Sequence, residues 1–110
     1  MGKELKSRQC VYQDSYVQID LWRHSASVAD KEVHLTPIEW KLLTMFTRFP
    51  GVALSYEAIW VEVWAVEYPS LDLLKWHLSL LRKHLNFVVE GPIVTVRGYG
   101  YRYDPHWRPE

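Results

Sequence analysis

The 110 residues hold a single cysteine, Cys10. No internal disulfide can staple such a chain, and no Cys-x-x-Cys or zinc-ligand set can form, so the residue usage fits a reduced, cytoplasmic setting. Long apolar runs are missing too: none approaches the roughly 20 residues of a membrane-spanning helix. Residues 1–9 carry Lys3, Glu4, Lys6 and Arg8 in place of the apolar centre of a secretory signal. Lys6 stands where a myristoylation signal has Ser or Thr. Repeats and low-complexity stretches are lacking, and so is net charge, with 13 basic against 13 acidic residues. Apolar and aromatic side chains are plentiful. Hydrophobic residues make up 48% and aromatic residues 15%, with six Trp and seven Tyr, which excludes disorder for the bulk and fits one domain.

The zero balance conceals a gradient. From Cys10 to Ser70, Arg23, Lys31, Lys41 and Arg48 face eight acids, a balance of −4. From Leu73 to Arg102, the five cations Lys75, Arg82, Lys83, Arg97 and Arg102 face Glu90 alone, a balance of +4. A local positive end is the footprint expected of a polyanion binder.

Tyr16–Leu21, Ala26–Val28 and Glu32–Leu35 alternate or favour β-branched residues, with Ala29-Asp30-Lys31 as a turn, and predict a small antiparallel sheet. Thr36-Pro37-Ile38-Glu39 predicts a helix start: a Thr cap, Pro at the first helical position, and Glu placed to close a capping box. Ile38, Leu42, Met45, Phe46 and Phe49 then form one apolar stripe up to Pro50-Gly51. Ser55 caps a second helix running to about Trp64, with Leu54 and Ile59 as a staple. Tyr68-Pro69-Ser70 breaks the pattern before a third helix from about Leu71 to Leu85, whose core face is Leu74, Leu78, Leu81 and Leu85. Trp22, Trp40 and Trp60 are expected in the core. Phe87-Val88-Val89 and Ile93–Arg97 read as strands, the second folding back through Gly98-Tyr99-Gly100 onto Tyr101–Tyr103. Period two puts Thr95 and Arg97 on one face of that hairpin.

Three helices, the last basic, and then a hairpin with an outward arginine make the plan of a winged helix-turn-helix. Leu35-Thr36-Pro37-Ile38-Glu39-Trp40-Lys41-Leu42-Leu43, Pro50–Ser55, Val63-Trp64, His77-Leu78-Ser79, Leu81–Leu85 and Thr95–Arg102 together resemble the OmpR/PhoB-type effector domain of bacterial response regulators, over about Tyr16 to Tyr103. The resemblance implies an α+β winged helix-turn-helix: an N-terminal antiparallel sheet of four strands, a three-helix bundle and a C-terminal β-hairpin wing. The expected layout is a tail or linker remnant over 1–9, the winged-helix domain over 10–104 and a C-terminal tail over 105–110. The family places a phosphorylatable receiver domain N-terminal to this one, so the chain is expected to be either an effector part or a stand-alone relative.

The resemblance also implies a partner and a site. The partner is double-stranded DNA, bound by the chain alone or as a dimer, with RNA polymerase touched through the loop over 65–70. Trp64, His77, Ser79, Arg82, Lys83 and Thr95 are expected at phosphates, which position a protein without specifying sequence. Leu73, Lys75, Trp76 and Leu80 are expected to face bases, and Arg97 to enter the minor groove. The chain departs from the family pattern at Asp72, where a phosphate-binding Arg is common, and at Leu80, where a base reader is usually polar. Leu73, Trp76 and Leu80 recur at i, i+3 and i+7, an apolar stripe that supports a second reading, a module using this face for protein binding or self-association.

His24, His34, His77, His84 and His106 show neither an i, i+4 pair nor an H-E-x-x-H helix, and no metal or cofactor is expected. Gly98-Tyr99-Gly100 has no helix after it to hold a phosphate. No motif assembles a nucleophile with its base, so no enzyme is expected.

Overall fold

The computed structural model describes residues 11–65, 70–87 and 91–109. These fall into two compact units that divide between His34 and Leu35. The first is an antiparallel meander of β1 (Val11–Gln13), β2 (Gln18–Asp20), β3 (Ser25–Val28) and β4 (Lys31–Val33), ordered β1-β2-β3-β4. Tyr12, Ile19, Ala26 and Val33 lie opposite one another along the register, so one face gathers the apolar residues, and Ile19 and Ala26 are buried. Asp14 Oδ1 accepts from the backbone N–H groups of Tyr16 and Val17 at 2.7 and 2.9 Å, closing the first turn. Ala29 and Asp30 link β3 to β4 with φ of 52° and 65°, the left-handed pair that a two-residue hairpin loop demands.

Trp22 corrects an expectation. It occupies the four-residue turn after β2 and is 65% exposed, because the turn carries it off the sheet face that residues of its periodicity would share. Trp60 is buried as expected, and Trp40 is half-buried.

The second unit runs α1 (Pro37–Arg48), β5 (Ala53–Ser55), α2 (Tyr56–Trp64), α3 (Leu71–His84), β6 (Ile93–Val96) and β7 (Gly100–Tyr103). The capping box at Thr36 is formed: its side chain accepts from Glu39 N at 3.2 Å, and Glu39 Oε1 accepts from Thr36 N at 3.2 Å. Ser55 and Ser70 cap α2 and α3 through Ala58 N and Leu73 N. Leu42, Leu43, Phe46, Ile59, Leu74, Leu78, Leu81 and Leu85 are fully buried where α1 packs on α2 and α3, each worth about 1.5–3 kcal/mol of burial. Phe49 leaves the predicted stripe. It caps α1 in a non-helical conformation and is 41% exposed, with the Arg48 guanidinium 5.1 Å from its ring centroid.

The end of α3 is set by Asn86, at φ 60°. Its N–H bonds Lys83 O and the N–H of Phe87 bonds Arg82 O, at 3.0 and 2.9 Å, which satisfies carbonyls the helix would leave open. Phe87 is buried outside any strand, and Val88 and Val89 of the predicted strand lie outside the described residues.

The second sheet has the order β5-β7-β6. β5 is too short to announce itself by alternation and exists through its pairing with β7, Ser55 opposite Gly100. A Cβ at Gly100 would stand 1.8 Å from Leu54 O, so only glycine lets the two backbones approach. Val96 pairs with Gly100, which places Arg97, Gly98 and Tyr99 in the connecting loop. The turn therefore begins one residue earlier than the sequence suggests, and Arg97 belongs to its tip instead of the strand. Gly98, at φ 75°, supplies the left-handed residue there, and Tyr99 N donates to Val96 O at 2.9 Å.

Candidate nucleic-acid interface

One side of α3 is sealed by its four leucines, so its chemistry lies on the other. Leu73, Lys75, Trp76, Ser79 and Lys83 are exposed there, and His77, Leu80 and Arg82 are half-buried at its margins. At 3.6 residues per turn, Trp76 and Lys83 sit near the centre of this face, Leu73 and Leu80 towards one flank, Lys75 and Ser79 towards the other. Asp72, also exposed, lies in the first turn, where its charge suits the positive helix end. Arg82, Lys83 and His84 fill the last turn, where cations suit the negative one.

Behind the leucine flank runs a chain of rings. Trp60 stacks on Trp64 at 4.2 Å between centroids, Trp64 lies 5.5 Å from His77, and His77 lies 4.9 Å from Trp76, edge to face. The chain leads from a buried tryptophan in α2 to one that is 57% exposed on α3. His77 Nδ1 is buried and has no hydrogen-bond partner among the described residues. Trp64 is half-buried at the C-terminal end of α2.

On the opposite margin Arg82 joins α3 to the wing. One terminal nitrogen donates to Ile93 O at 2.6 Å and to Thr95 Oγ1 at 3.2 Å, and the guanidinium carbon stands 5.5 Å from the Tyr101 ring centroid. Burial raises the Tyr101 phenol pKa above its ordinary value, with Arg82 opposing the rise. Thr95 accepts through its oxygen and so keeps its hydroxyl proton to donate outward. Arg97 is exposed at the wing tip beside Tyr99, itself 49% exposed. In the sequence Tyr99 is marked only by its place between two glycines of the turn.

A further contact holds α3 in place. His84 Nδ1 donates to Glu39 Oε1 at 2.8 Å, so the carboxylate that closes the cap of α1 also receives the end of α3. Glu39 is fully buried. Tyr56 N donates to Tyr99 O at 2.9 Å, fastening the wing to the start of α2. Helix and wing are thereby held as one surface, carrying Lys75, Lys83 and Arg97 as exposed cations. Of the loop over 65–70, residues 66–69 lie outside the described residues. Among the described residues no three His, Cys, Asp or Glu side chains group as metal ligands, and no helix is long and apolar enough to cross a membrane.

The family model for the C-terminal part of transcriptional regulatory proteins matches residues 30–103. The chain is 30% identical over 92 residues to the DNA-binding response regulator MtrA of Mycolicibacterium smegmatis, an alignment covering 81% of this chain and 40% of that protein. It is 34% identical over 94 residues to the transcriptional regulatory protein ResD of Bacillus subtilis, covering 82% and 39%. The chain thus spans about two fifths of the length of these relatives. Among solved structures, the DNA-binding domain of RstA from Klebsiella pneumoniae in complex with the RstA box superposes with a TM-score of 0.77 at 22% identity, covering 87% of this chain and 98% of that one. The DNA-binding domain of CpxR from E. coli gives 0.74 at 25% identity, covering 86% and 95%. A winged helix with this face and this sequence kinship has one classification: the chain belongs to the OmpR/PhoB-type family of transcriptional regulatory C-terminal domains, the non-catalytic DNA-binding effector domains of response regulators.

Proposed function

We propose that the domain binds double-stranded DNA with α3 in the major groove and Arg97 of the wing in the adjacent minor groove, as the output end of a phosphorelay. The observation that supports this most is the joint exposure of Lys75, Lys83 and Arg97 on a helix and wing locked together through Arg82. Phosphates are held by the Trp64 indole N–H, the His77 imidazole, the Ser79 and Thr95 hydroxyls and Lys83, which fix register without reading sequence. Arg82 contributes mainly as the strut of the wing. Leu73, Lys75, Trp76 and Leu80 face the bases. Dimerisation on DNA and a polymerase contact through the 65–70 loop complete the reading.

A second reading has its own observation: Leu73 is 38% and Trp76 57% exposed, as on a surface covered by protein. Two variants separate the readings. Under DNA binding, Arg97→Ala weakens binding across sequences and lowers the salt slope by about one. Under protein binding, Trp76→Ala abolishes partner capture or dimerisation while Arg97→Ala leaves it intact. Equal self-association by Trp76→Ala and the parent chain counts against the protein-binding reading.

A further inference from the structure

The surface that α3 turns outward is poor in groups able to read hydrogen-bonding edges. A leucine neither donates nor accepts, and an indole has a single donor. In the major groove, donors and acceptors mark every base pair, but an apolar group, the C5 methyl, marks thymine alone. Leu73, Trp76 and Leu80, spaced i, i+3 and i+7, therefore have one natural counterpart on a base edge.

Two observations favour a nucleic-acid occupant over a protein one. The stripe shares the outward face of its helix with exposed Lys75 and Lys83, and on the opposite margin Arg82 ties that helix to a wing that ends in exposed Arg97. A polyanion complements those cations. Trp76 is also braced: its ring meets His77, His77 meets Trp64, and Trp64 stacks on buried Trp60. A braced aromatic side chain loses little rotamer freedom when it meets its ligand.

We infer that this helix selects thymine by its methyl group, so the preferred operator carries thymines under Leu73, Trp76 and Leu80, read by apolar contact while phosphate contacts hold the register. The inference rests on the DNA interface proposed above and names the base chemistry of that site.

The test takes the 110-residue chain and a randomised duplex pool, and selects bound duplexes at about 50 mM salt. Thymines in the selected core are then replaced one at a time by deoxyuridine, which keeps every hydrogen-bonding edge and lacks only the methyl. At two or more positions each replacement is expected to weaken binding about fourfold, the loss of one buried methyl. Leu73→Ala or Trp76→Ala is expected to flatten the penalty at the position that side chain contacts. Because the substitution is made in the DNA, no folding defect can produce the result. Equal affinity for the thymine and uracil duplexes overturns methyl reading and leaves the DNA interface standing, as does selection of a core without thymine. Failure of every duplex to bind at low salt overturns the interface itself.

Discussion

Ala29 holds a left-handed backbone, φ 52°, that its Cβ disfavours. Replacing it with glycine removes that clash, because the fold already holds this loop position in the conformation glycine adopts freely. Ala29→Gly is expected to stabilise the first unit by about 0.5–1 kcal/mol, read from denaturant midpoints at unchanged slope. A loss of stability instead would mean that the hairpin loop is not left-handed at this residue. Single residues were also where the sequence spoke least clearly. Trp22 and Trp60 are the same side chain, and only the turn after β2 separates an exposed one from a core one. Arg97 could be assigned to the wing, but its position at the loop tip followed from the pairing of Val96 with Gly100, a contact between strands.

Elements with their own signals were legible. Thr36-Pro37-Ile38-Glu39 carries the whole cap of α1 within four residues, and the leucines of α3 repeat at helical spacing, so both helices and the buried face of α3 could be read directly. β5 could not, because three residues have no periodicity and its strand character comes from β7. The role of Arg82 was equally hidden. Its type and helix position suggested a phosphate, whereas its partners Ile93 and Thr95 lie eleven and thirteen residues on. Arg82→Ala is therefore expected to speed hydrogen exchange at the amides of β6 and to cost about 1–2 kcal/mol of stability. Unchanged exchange would show that the wing is held without it. The same joint gives a pH dependence through Tyr101. Its raised pKa means that the fold favours the neutral phenol, so its contribution is complete below the ordinary value of 10.0 and is lost as pH rises towards the higher folded one. The alkaline fall in stability between about pH 9 and 11 is expected to be shallower in Tyr101→Phe, which has no phenol to ionise. An identical fall in both would place the responsible group elsewhere.

For the molecule as a whole, net charge misleads and its distribution informs. Thirteen cations balance thirteen acids, yet the chain from α3 through the wing is basic and what precedes it acidic. A net charge of zero carries no sign of a polyanion partner, and the order of charges along the chain does. The winged-helix assignment was legible because capping, periodicity and hairpin signals agreed in sequence order. The outward face of α3 was legible in its residues and not in its purpose, since Leu73, Trp76 and Leu80 suit either a thymine-rich groove or a protein. The decisive measurement is fluorescence anisotropy of a labelled mixed-sequence duplex titrated with this chain at about 50 and 200 mM salt. Contacts from Lys75, Lys83 and Arg97 imply micromolar-range binding at the lower salt and a loss of roughly fortyfold at the higher one. No binding at either salt, or binding indifferent to salt, would contradict a groove-bound helix and wing.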